Sequence, residues 1–173
     1  MKFLVRERVF DIGDDYWVTD EAGEKVFLVD GKALRLRTTF ELKDTDGTVL
    51  AVIRKKLFRL RDQMRVEREG GATATVRKRL VNPLRDKLVV EVEGAPDWEV
   101  TGDFLGKEYV ISDEHGTVAH VSRKWFRVLD TYAVDVNTHR ADLAGDPALV
   151  IGVAVAVDTL TRDEDDEEEG PQD

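Results

Sequence analysis

At 173 residues the chain is long enough to bury one sizeable core and short enough to be a single domain. It has no cysteine, which excludes disulfides, a thiolate nucleophile and thiolate metal sites. The formal charge of -10 is concentrated in the acids Asp163 to Glu169 and Asp173; without those eight, 28 acids face 26 bases, a net of -2.

The opening MKFLVRERVF alternates charged and apolar residues and lacks the unbroken apolar run of a signal peptide. The same alternation then returns in YWVTD, KVFLVD, FELKD, TVLAVI, MRVERE, TATVRKR, KLVVEVE, WEVTGD, YVISD, TVAHVS and YAVDV. Each is short, rich in branched or aromatic residues and bounded by turn residues, so about twelve strands are predicted. Three of the turns share the form Asp-x-x-Gly: Asp20 to Gly23, Asp44 to Gly47 and Asp113 to Gly116. The Asp side chain can accept from backbone two residues on, and Gly supplies positive φ.

Within this series an internal repeat stands out. An offset of 69 places Phe40, Leu42, Asp44, Gly47, Val52, Arg54 and Lys55 on Tyr109, Ile111, Asp113, Gly116, Val121, Arg123 and Lys124, with a one-residue slip later at Phe58/Phe126. A finer period of 23 aligns Lys32, Lys55 and Lys78. Three basic phrases, VIRKKLF, TVRKRLV and VSRKWFR, are thereby read as the ends of strands in successive units. Between Arg54 and Arg85 eleven bases face three acids. That stretch is either a solvated face or a patch for an anionic partner.

The last element, ALVIGVAVAV from Ala148 to Val157, follows Gly-Asp-Pro. Asp146 suits an N-cap and Pro147 the first helical position, whereas the V-A-V-A-V alternation favours a strand. As a helix it would be apolar all round and require burial on every side. No run approaches the ~18 apolar residues of a membrane span. The like-charged stretch 163–173 reads as a disordered tail.

The ordered series from FLVRERVFDIGDDYWVTDEAGEKVFLVDGKAL through LKDTDGTVLAVIRKKLF and WEVTGDFLGKEYVISDEHGTVAHVSRKWFRVLDTYAVDV to PALVIGVAVAVDTL resembles the LURP-one-related family. That family lies within the tubby C-terminal-domain-like superfamily, which also includes phospholipid scramblases. The resemblance covers roughly Lys2 to Leu160. It implies a mostly β fold, a closed antiparallel barrel of about twelve strands around one buried hydrophobic C-terminal helix. The expected domain is 1–162, with the helix at about 147–160 and Leu149, Val150, Ile151, Val153, Val155 and Val157 in the core. A barrel of this strand number has a lumen too wide for its own side chains, and an apolar helix with Gly152, Ala154 and Ala156 would fill it.

Catalytic patterns are missing. There is no G-x-S-x-G, phosphate-binding loop or dinucleotide fingerprint. Ser112 and Ser122 lack an obvious base. His115 and His120 could begin a zinc pair, but no third ligand has diagnostic spacing; with His139 they read as surface histidines. Asp44-Thr-Asp-Gly lacks the closing Glu of a calcium loop, and Asp14/Asp15 is a pair that an acidic chain produces readily. Trp17, Trp98 and Trp125 read as core or rim packing, although Trp125 follows Arg123 and Lys124. The expectation is a cytoplasmic, non-enzymatic binding module without cofactor or metal. What the resemblance implies is tethering to anionic, phosphoinositide-like lipid headgroups. The candidate residues are Arg54, Lys55, Lys56, Arg77, Lys78, Arg79, Arg123 and Lys124. The alternative is a protein-interaction or structural scaffold; overall acidity disfavours nucleic acid.

Overall fold

Alternating branched and aromatic residues favour strands buried on one face, and in the computed structural model such strands close on one another. The structure describes residues 1–6, 15–32, 38–58, 61–79, 87–104, 106–123 and 131–168. The first half supplies β1 (Lys2–Arg6), β2 (Tyr16–Asp20), β3 (Lys25–Gly31), β4 (Thr39–Lys43), β5 (Val49–Phe58) and β6 (Arg61–Arg68). The second supplies β7 (Thr73–Arg79), β8 (Lys87–Val92), β9 (Trp98–Asp103), β10 (Glu108–Asp113), β11 (Gly116–Ser122) and β12 (Thr131–Val136). Each strand pairs antiparallel with its chain neighbour, and β1 pairs β12, from Lys2↔Asp135 to Arg6↔Thr131, to close the barrel. Among the described strands, closure leaves no unpaired edge along which chains could aggregate.

Inside the wall the register builds rungs of fully buried side chains. Ile53 stands beside Val66 and Val66 beside Ala74; Met64 stands beside Val76 and Val76 beside Val90. The expected turn chemistry is present. Asp20 Oδ1 accepts from the backbone N–H of Ala22 and Glu24, and Asp44 Oδ1 from Asp46 and Thr48, all at 2.9 Å. Asp113 Oδ1 accepts from His115 N–H at 2.8 Å. Gly23 and Gly47 close their turns at φ 83° and 87°, a region only glycine enters without strain.

The register also corrects the internal alignment. Phe40 and Leu42 of β4 occupy the places of Tyr109 and Ile111 of β10, and all four are buried. Beyond the turn, Leu42 opposes Ala51 while Ile111 opposes Ala119, and Phe40 opposes Ile53 while Tyr109 opposes Val121. The equivalence there is 68 residues, not 69. The slip sits in the turn: three residues lie between paired Asp44 and Thr48 but two between Asp113 and Gly116, while the bulges between Leu42/Lys43 and Ile111/Ser112 fall at equivalent places. A one-residue shift reverses a strand's faces, so Val52 and Val121 are not counterparts. Lys55 corresponds to Arg123.

The conflict at the C-terminal segment resolves to helix. α1 runs Pro147–Glu168 through the lumen, every residue from Ala148 to Thr161 buried and Leu149, Val150, Ile151, Val153, Val155 and Val157 fully so. Asp146 is the N-cap: its Oδ1 accepts from Ala148 N–H at 3.0 Å, and its backbone carbonyl accepts from Val150 N–H at 3.1 Å. Arg68 Nε donates to Asp146 Oδ2 at 2.8 Å, fixing the helix start to the end of β6. The helix extends eight residues beyond 160, taking the acids 163–168 into its backbone. Residues 169–173 lie outside the described residues.

Candidate anion-binding end of the barrel

Strands of equal direction end on the same side. β1, β3, β5, β7, β9 and β11 all terminate at the end of the barrel opposite Asp146, here called the exit end because α1, entering beside Arg68, points towards it. Basic residues close β5 and β7 and Arg123 follows β11, so repetition delivers these bases to one rim. The pleat then divides them. Lys55 stands opposite buried Met64, and Lys78 opposite buried Leu88, so both take the inward parity. Arg54, Lys56 and Arg77 take the outward parity, Lys56 and Arg77 flanking Gln63 in one rung. Arg123 follows β11 and is exposed; its backbone N–H donates to Glu108 Oε1 at 3.0 Å and to the Lys107 carbonyl at 3.1 Å. Arg79 closes β7 with its side chain outside the described set, and Lys124 and Trp125 lie outside the described residues.

Two of the outward bases, Arg54 and Arg77, are embedded in wall ion pairs. Arg54 and Arg65 face each other across β5 and β6, an unfavourable juxtaposition. Glu67 relieves it, with its carboxylate 3.5 Å from Arg54 Nη1 and 3.1 Å from Arg65 Nε. Arg77 Nε donates to Glu91 Oε1 at 2.9 Å. Lys32, first in the period of 23, pairs with Asp30 and lies 3.2 Å from Glu41. Burial pushes the Asp30 carboxyl up, but the ammonium groups of Lys32 and Lys43 together hold it below its ordinary value. The tryptophans divide too: Trp98 is core, while Trp17 faces outward under the Lys25 ammonium, 4.7 Å from its ring centre.

Sequence reasoning missed the polar layer inside the exit end. Lys107, at φ 54° between β9 and β10, is buried and pairs with buried Asp158 of α1. Asp158 ends the apolar run, and an acid in a helix buried on all sides requires a cation. The sequence signals that requirement but not a partner 51 residues earlier. Tyr109, two residues further on in β10 and opposite Val121, is buried as well. Burial first, then the neighbouring Tyr132, push its phenol well above the ordinary value, so it stays neutral. Buried Thr159 and Thr161 satisfy their hydroxyls on the carbonyls of Val155 and Val157, at 2.8 and 3.0 Å.

The family model described as LURP-one-related matches residues 1–158. The X-ray structure of a protein from Arabidopsis thaliana matches with a TM-score of 0.54 and 17% identity, covering 94% of this chain and 91% of that one. At that identity the likeness concerns the fold. No curated protein matches the chain.

Proposed function

The chain belongs to the LURP-one-related family, and from that premise we propose that it is a cytoplasmic, non-enzymatic binding module whose exit end takes the phosphorylated headgroup of an anionic membrane lipid. One observation carries this reading: β5, β7 and β11 end on the same side of the barrel, and Lys55, Lys56, Lys78 and Arg123 stand at or near those ends. Bases beside an anionic surface contribute about 1 kcal/mol each. Lys55, Lys56, Lys78, Arg79, Arg123 and Lys124 together would then provide a few kcal/mol, enough for reversible docking.

Flotation with vesicles of neutral lipid, with and without phosphatidylinositol bisphosphate, tests the reading. The protein is expected to float only with the anionic lipid, and the K55Q/K56Q/K78Q variant is expected to lose at least tenfold in the bound-to-free ratio. Absence of binding both in the full chain and in a chain ending at Arg162 would sink the proposal. A second reading, a protein-interaction scaffold, is favoured by the neutralised outer wall, where Glu67 and Glu91 occupy Arg54 and Arg77. It predicts equal, negligible flotation for the wild type and the lysine variant.

A further inference from the structure

Resting on that reading of the exit end, we infer that Lys107 is its buried cation, and that Asp158 occupies this cation in the free protein as a built-in carboxylate which a phosphate group replaces. Lys107 sits in the β9–β10 connection, at the same end of the barrel as the basic ends of β5 and β7. Its carbonyl accepts from the backbone N–H of Arg123 at 3.1 Å, so it adjoins the base that follows β11. It is a rim position by its backbone, yet its side chain is turned inward. Lys107 is 5% exposed and Asp158 1%.

Neither feature of Lys107 benefits stability. At φ 54° a residue with a Cβ meets a steric penalty that glycine avoids. Its N–H donates to the Phe104 carbonyl at 3.2 Å, closing a turn that glycine would close equally well. A buried ion pair holds a fold together no better than apolar side chains of similar volume. Backbone strain and a buried charge at one residue point to a use for the ammonium. Two residues on, the Tyr109 hydroxyl is buried and has no hydrogen-bond partner among the described residues. A buried donor without an acceptor is costly as well. This layer therefore holds two donors, ammonium and phenol, against the single carboxylate of Asp158.

A phosphomonoester brings roughly two negative charges and three strong acceptor oxygens, where Asp158 brings one charge. The four-carbon stem of lysine lets the ammonium turn from Asp158 towards the rim without moving the backbone. Thr159 and Thr161 place their hydroxyls on carbonyls of α1 itself, so neither hydroxyl ties the helix end to the wall. Asp158 is then left as a buried charge without its cation. That cost lowers the affinity and keeps docking reversible.

Vesicles containing phosphatidylinositol bisphosphate and inorganic phosphate are used as separate probes, because a lipid headgroup and free phosphate present the same group. Lys107→Met/Asp158→Val removes both charges, leaves the net charge of the chain unchanged and fills the site with apolar side chains, so it is expected to fold. It is expected to bind the vesicles at least tenfold more weakly than the wild type; equal binding would overturn the inference and leave the headgroup reading standing. Asp158→Asn is expected to bind at least tenfold more tightly than the wild type. Asp103→Asn makes the same change of charge at an exposed position of the same hairpin and is expected to change binding less than threefold. Equal gains in the two single variants would overturn the replacement of Asp158. If no chain binds vesicles, the headgroup reading falls, and melting in phosphate against chloride at equal ionic strength decides about Lys107. A midpoint raised more in the chains that keep Lys107 than in Lys107→Met/Asp158→Val supports a phosphate site there, and equal shifts overturn it.

Discussion

Arg140 divides one guanidinium between two carboxylates. Its Nη1 and Nη2 each donate to an oxygen of Asp113 at 2.8 Å, and its Nε donates to Asp142 at 3.0 Å. Asp113 also accepts the turn N–H of His115, so one side chain closes the β10–β11 hairpin and ties down the segment leading to α1. The Arg140 hydrogen bonds hold the nearly covered Asp113 carboxyl below its ordinary 3.8, although burial pushes it the other way. A lowered native pKa means stability that is complete above the unfolded value and lost as pH falls through the native one. Arg140→Gln is therefore expected to destabilise at neutral pH by about 3 kcal/mol, the low end for removing one partner of a buried pair. The gap to the wild type should narrow below the ordinary 3.8 as Asp113 takes up its proton. Chemical denaturation across pH measures it, and a gap that stays constant down to about pH 2 would contradict the assignment. The wall bases belong to this scale as well. Arg54 and Arg77 have charged partners within their own sheet, which is why their number in the sequence overstates how many converge on one face.

At the scale of elements, the contact between α1 and β6 sets how the lumen is filled. Gly152 faces Val66, and a Cβ there would stand 2.8 Å from Val66 Cγ1. Ala is the better helix former by about 1 kcal/mol. Val66 is fully buried and β-branched, so its methyl cannot swing aside, and overpacking a tight site costs about 1–3 kcal/mol. The steric effect wins: Gly152→Ala is expected to lower stability by about 1 kcal/mol, the opposite of the propensity effect. Combined with Val66→Ala, it should cost less than the sum of the single changes. A stabilised Gly152→Ala protein would show that α1 stands further from β6.

For the whole molecule the question is whether the barrel stands without its helix. Leu149, Val150, Ile151, Val153, Val155, Val157 and Leu160 are all buried in the lumen. At about 1.5–3 kcal/mol for each such side chain, their combined loss matches or exceeds the 5–15 kcal/mol net stability of an ordinary domain. Removing them would also leave the inner wall facing a void. A chain ending before Asp146 is expected to be insoluble or molten, binding hydrophobic dyes and lacking a cooperative thermal transition. A soluble, cooperatively melting product would contradict the filled barrel.

Much of this architecture is written in short-range signals. Period-two alternation marks the strands, Asp-x-x-Gly marks three hairpin turns, and Asp146-Pro147 marks the start of α1, because pleat, turn and cap chemistry act within a few residues of chain. That the basic phrases recur at strand ends was equally legible. Tertiary structure alone decided the rest. It placed the one-residue slip in the hairpin turn, and so matched Lys55 with Arg123; it turned Lys55 and Lys78 inward while Arg54 and Arg77 met Glu67 and Glu91; and it joined Lys107 to Asp158. A side chain's face depends on every residue counted through a bulge, and a buried charge finds its partner only where the closed wall and the helix meet.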